Sequence, residues 1–166
     1  MRKLTALIVS TFLIQFLSFS QESNTTKQMD IDLQWGGYYA SKESDGSQYG
    51  VFRILDFNRN AYHIAIFKEK FDEIPEFSDI EKLSPYIGHS PIDSRALLNE
   101  KNVRLLGSKE LETDDLEGYS YYLEAHDVDE KEIDELVESL ISYSKEPPMK
   151  LSLSLNGDEL EIEERN

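Results

Sequence analysis

Two apolar runs, Val51–Phe57 and Ala61–Phe67, stand either side of Asn58-Arg59-Asn60. Runs rich in Val, Ile, Phe and Tyr, joined by three turn-prone residues, predict an antiparallel hairpin with a short loop. Side chains alternate across a strand, so Tyr62, Ile64 and Ile66 face one way while Ala61, His63, Ala65 and Phe67 face the other. Both sets are too apolar for open solvent. Both faces are therefore expected to be at least partly covered.

The N-terminus carries a different signal. Arg2 and Lys3 precede an apolar stretch from Leu4 to Leu17, followed by Ser18-Phe19-Ser20-Gln21. A positive start, an apolar middle and a small-x-small site predict a secretory signal peptide over residues 1–20, with an exported, periplasmic or secreted product. The apolar run is shorter than the roughly 20 residues a spanning helix needs, so no stable membrane insertion is expected after cleavage. No cysteine follows for a lipid anchor; the whole chain has none. Stability must then come from the core alone, without disulfides.

Removing residues 1–20 takes Arg2 and Lys3 and no acidic residue, so the formal charge of −16 becomes −18. A field of that sign repels phosphate backbones, which argues against nucleic acid, and it attracts basic proteins and cations. High charge also serves solubility by itself.

Residues 21–32 are polar and predict a flexible lead-in, with Asn24-Thr25-Thr26 a sequon that matters only in a glycosylating host. The domain proper is expected over 33–166. Leu33–Tyr39 reads as a first strand with a bulge at Gly36-Gly37, and Ser41–Gly50 as a polar loop. Ser78-Asp79-Ile80-Glu81 has the capping-box pattern of a short helix ending before Pro85. A second short helix is expected from Asp93, and Val103–Gly107 reads as a strand. Thr113 is placed as the cap of a longer helix carrying Leu116, Tyr119 and Leu123, in which Gly118 implies close packing. Another helix is expected from Glu130, capped by Asp129 and burying Ile133, Leu136, Val137, Leu140 and Ile141, with Pro147-Pro148 as its stop. Leu151, Leu153 and Leu155 alternate towards Asn156-Gly157, the strongest short hairpin signal, and Leu160 and Ile162 continue beyond it. The sum is one α+β domain: an antiparallel sheet of hairpins with two longer and two short helices.

The chemistry is sparse. His63, His89 and His126 fall on a strand, a loop and a helix end, without metal-ligand spacing. Asp127, Asp129 and Glu138 sit at positions one, three and twelve of a calcium-type loop. Lys131 and Glu132, however, occupy the places of an oxygen ligand and the turning glycine, and a helix cap explains the same residues better. There is no nucleophile elbow, phosphate-cradling loop or dinucleotide fingerprint, and thiol catalysis is excluded. Nothing in the sequence asks for a cofactor or a metal.

Gly88-His89-Ser90-Pro91-Ile92-Asp93, and Asp115-Leu116-Glu117-Gly118-Tyr119 followed by Tyr122, stand in that order after the hairpin and Ile74-Pro75. Over roughly residues 35–125 this resembles a family of small bacterial proteins with a Gly-His-x-Pro loop and a later Glu-Gly-Tyr helix. The resemblance implies no activity. Pro91 forces Ser90 into an extended conformation, Gly88 permits an unusual turn, and His89 is then placed to bond a neighbouring strand or the Gly118-Tyr119 helix. His89, Asp93 and Tyr119 are the candidate binding residues. The expectation is a non-enzymatic exported domain that binds a basic protein, as an inhibitor, immunity-type or accessory factor. The alternatives are a secreted hydrolase using His89 with a carboxylate, and cation binding by clustered acids.

Overall fold

A computed structural model describes residues 27–165; the expected signal peptide and the Asn24-Thr25-Thr26 sequon lie outside them. Eight strands and three α-helices follow one another: β1 (Gln28–Leu33), β2 (Gly37–Lys42), β3 (Tyr49–Phe57), β4 (Ala61–Phe71), α1 (Phe77–Ile80), β5 (Ile87–Asp93), β6 (Lys101–Ser108), α2 (Glu117–Glu124), α3 (Glu130–Tyr143), β7 (Met149–Asn156) and β8 (Glu159–Glu164). Tight 3-10 turns at Ser94–Asn99 and Thr113–Leu116 lead into β6 and α2. All pairings are antiparallel and form a five-stranded sheet, β5-β4-β3-β2-β6, and a three-stranded sheet, β1-β7-β8. The fold is α+β. No helix among the described residues is long and apolar enough to cross a membrane.

The central hairpin organises three layers. One face of the large sheet, with Tyr39, Phe52, Ile54, Tyr62 and Ile64, closes on Ile31, Leu33, Leu151, Leu153 and Leu160 of the small sheet. Its other face presents Leu55 and Ala65 to Leu111, Leu116, Tyr119 and Leu140 from the α2 and α3 region. Tyr38, Val51 and Phe67 on that same face close around Ile80 of α1. The expected turn is present: Asn58 N donates to Ala61 O at 2.9 Å, and the Asn58 side chain accepts from Asn60 N and Ala61 N.

Several sequence expectations need correction. Leu33–Tyr39 is not one strand. The chain turns a corner at Gln34–Gly36 and passes from the small sheet to the large one. Gly36 has φ +73°, and a Cβ there would stand 2.3 Å from Lys109 O, so the corner requires glycine. Gln34 is buried in it and donates from Nε2 to Ser144 O and Glu146 O, tying the corner to the end of α3. The expected lead-in is already strand from Gln28, because Ile31 and Leu33 supply core positions against Leu151 and Leu153. Glu76, not Ser78, occupies the N-cap position of α1, without a side-chain capping bond, and Glu112, not Thr113, forms a reciprocal capping box with Asp115. Asp129 does cap α3, accepting from Lys131 N at 3.0 Å. Gly88–Asp93, read as a loop, is the edge strand β5. Its other edge has no strand partner among the described residues, which is where a proline can be accommodated.

Candidate functional site

The site is built by three pieces of backbone on the helical face of the large sheet. A bulge between Ile54 and Asp56 makes two successive β3 residues, Leu55 and Asp56, face the helices. Asp56 then stands opposite His63 of β4, and β5 runs alongside with Pro91 opposite His63. From above, α2 comes down onto β5 at Gly118, where a Cβ would lie 3.1 Å from His89 Cβ. The close packing expected of Gly118 is therefore against the Gly88-His89 backbone.

His63 is 5% exposed and its Nδ1 lies 2.9 Å from Nε2 of the half-buried His89. The ring planes are 13° apart and the centroids 5.1 Å apart. With so short an N···N distance, that separation means the rings meet edge to edge rather than face to face. One nitrogen must donate and the other accept, so the contact holds a single proton. Tyr119 covers both rings, with centroids 4.3 Å from His63 and 5.0 Å from His89. Its hydroxyl donates to Asp56 Oδ2 at 2.9 Å, while Asp56 Oδ1 accepts from Phe57 N at 2.7 Å and Trp35 Nε1 at 3.4 Å. Tyr122 lies 4.9 Å from His89 and 4.2 Å from the exposed His126. Burial pushes His63 below the usual imidazole range against the pull of Asp56, and burial followed by the His63 charge brings His89 down to about 4. Burial and then the Asp56 charge raise the Tyr119 hydroxyl.

Of the candidate residues, His89 and Tyr119 are brought together and Asp93 stands apart. Asp93 caps the 3-10 turn by accepting from Arg95 N at 2.9 Å and grips the Arg95 guanidinium, which holds its carboxyl down at about 2. The hydrogen-bond partner of His89 is His63, not a carboxylate, and the oxygens of Asp56 are taken up by Tyr119, Trp35 and the backbone. Among the described residues no group of three or more His, Asp or Glu side chains converges to hold a metal ion. The acids at the calcium-like spacing are accounted for locally, Asp129 as the α3 cap and Asp127 in the left-handed conformation after α2.

Next to the aromatic cluster lies a cleft of about 670 Å³, between α1 with its following loop and α2. Its floor is Arg53, Leu55, Ala65 and Phe67 of the large sheet, and Gly88 and Gly118 form the wall it shares with the cluster. Arg53 is buried and fully engaged: Nη1 donates to Asp115 Oδ1 at 2.7 Å, Nη2 to Lys109 O and Glu110 O, and Nε to Gly36 O. Its guanidinium also lies 5.0 Å from the Tyr38 ring centre. Sequence reasoning missed this arginine, although one cation inside the apolar run Val51–Phe57 was a usable signal, since a buried charge must be paired. Against models of protein families, curated proteins and solved structures, the chain gives no match.

Proposed function

We propose that this chain is a non-enzymatic, exported acidic domain that binds a basic protein, as an inhibitor, immunity-type or accessory factor, through the cleft between α1 and α2. The observation that carries the reading is where exposed apolar surface collects. Tyr121 lines the cleft and is 60% exposed, while Tyr86, at 72%, and Ile87, at 39%, lie between its lining residues Pro85 and Gly88. Exposed tyrosines at or near a concavity suit a protein contact surface, where Tyr gives large contact area at low entropic cost. Charge sets the class of partner. Glu81, Asp114 and Glu117 stand around the cleft against Lys82 and Lys109, since Arg53 is already neutralised by Asp115. The Tyr121 hydroxyl donates to Glu117 at 3.2 Å, which puts an aromatic face and a carboxylate side by side for a lysine or arginine of the partner.

The test uses oligo-arginine and oligo-glutamate peptides as probes in an NMR titration of residues 21–166. Oligo-arginine is expected to shift the amides of Gly88, Gly118 and Tyr121 saturably, more weakly at higher salt, and oligo-glutamate to leave them alone. Tyr121→Ala with Glu117→Gln should lose at least ten-fold in affinity while the fold is kept. Shifts spread evenly over the acidic surface, or equal affinity in the double variant, would overturn the assignment.

A further inference from the structure

The histidine pair is a built arrangement whose chemistry the binding reading does not use. It joins β4 to the edge strand β5 through one hydrogen bond, with Tyr119 of α2 lying over both rings. The charged and titratable groups facing it are few among the described residues. Asp56 comes from β3, Tyr119 and Tyr122 from α2, and His126 stacks on the outer side of Tyr122. Asp56 is the one carboxylate close enough to favour a charge on His63, and it binds Tyr119 rather than either ring. No acid is hydrogen-bonded to the pair to compensate a second positive charge.

We infer that the His63–His89 pair is an acid-operated latch: it holds β5 to β4 beneath Tyr119 of α2 while it carries a single shared proton, and it opens when both imidazoles are protonated. The proton count gives the reason. In the neutral pair one ring nitrogen donates and the other accepts. A first added proton is taken at a free ring nitrogen and leaves that bond in place. A further one puts it on the acceptor, so two N–H groups on two cations face each other across a gap that closes only with a lone pair on one side. His89 is the member able to leave, because it is half-buried on an edge strand while His63 is 5% exposed on β4. Its movement carries Gly88 and releases Gly118, and these two glycines are the shared wall of the cleft. Acid therefore reshapes the cleft from behind. This last consequence rests on the binding reading above; the latch does not.

The sign follows from the two states. An unfolded imidazole takes its proton near pH 6.5, whereas folded His89 takes it at about 4, so the unfolded chain binds more protons in between. The stabilisation from the pair is complete above about pH 6.5 and is lost as pH falls towards 4. His63, lowered in the same direction, adds to the same window.

The experiment needs no ligand. Ring resonances of both histidines are followed by NMR from pH 7.5 to 3.5, with hydrogen exchange of the α2 and β7 amides corrected for intrinsic rates. The expected result is a coupled pair whose last step falls near pH 4, with α2 protection dropping at least ten-fold relative to β7 across the window. In His89→Gln, which keeps a donor and an acceptor but does not titrate, the α2 loss should vanish. Independent titration of both rings near 6.5, or α2 protection that follows β7 throughout, overturns the latch. Oligo-arginine binding at pH 7 is read separately, so failure of the cleft and failure of the latch are distinguishable.

Discussion

The two faces of the large sheet are buried to a similar depth by opposite means. Between the sheets, Leu33, Ile54, Leu153 and their neighbours are aliphatic or aromatic and pack mainly by shape, with the Tyr39 hydroxyl accepting from Gln34 N and donating to Asp32 O. Under the helices the same strands bury Arg53 and His63 and half-bury Asp56, each of which needs a specific partner. Apolar burial stabilises by area and tolerates substitutions of similar volume, whereas polar burial is near neutral when satisfied and costly when half-satisfied. The small sheet is thus the cover that holds the domain together. The helical face is the one whose geometry is specified residue by residue, and both the cleft and the histidine pair lie there.

The largest break in that comparison should come from the polar side. Arg53→Met keeps most of the volume but leaves Asp115 without its ion pair and the carbonyls of Gly36, Lys109 and Glu110 without their donor. A cost of about 4 kcal/mol in urea unfolding is expected. Adding Asp115→Asn should recover part of it, because the stranded charge is then gone; a cost unchanged in the double variant would show that packing, not charge, dominates. On the apolar side, Leu153→Ala deletes a fully buried side chain and should cost about 3 kcal/mol. It should leave the affinity of the folded fraction for oligo-arginine unchanged, and a loss of affinity there would mean that the two faces are not independent.

The same contrast explains what could be read from the sequence. The apolar layers were legible: the central hairpin, the alternation of Leu151, Leu153 and Leu155, the stripe of α3 and the α+β class follow from periodicity, which is a local property. The small-sheet partner of Leu151 and Leu153 was not, because Met29, Ile31 and Leu33 sit among polar residues, and their pairing with β7 joins positions more than a hundred residues apart. Of the candidate residues, His89 and Tyr119 meet because both stand beside small or constrained neighbours, Gly88, Gly118 and Pro91, that permit close approach. Asp93 shares the motif but not the place, since the direction of β5 carries it to the far end of the strand. Asp56 depends on the bulge, and a bulge that puts Leu55 and Asp56 on one face breaks the alternation by which strand faces are assigned. Arg53 was visible as a misplaced charge whose partner, Asp115, lies far along the chain.

The smallest effect is the sharpest probe of how the polar face is organised. Asp56→Asn is nearly isosteric and keeps one carbonyl oxygen, so it can still accept either from the Tyr119 hydroxyl or from the Phe57 amide and the Trp35 indole, but not from all three. The amide nitrogen finds donors on the other side. The expected cost is about 1 kcal/mol, with the Tyr119 hydroxyl as the partner that gives way, because the Phe57 amide is fixed by the backbone. Loss of the carboxylate also removes the one negative charge that favours a proton on His63. In this variant His63 should protonate at lower pH than in the wild type, and the acid-sensitive window, whose upper end is set by the unfolded imidazole, should extend at its lower end. If the His63 titration stays where it was, Asp56 acts on the pair only by holding Tyr119 over it, and the electrostatic link between β3 and the histidines is removed from the account.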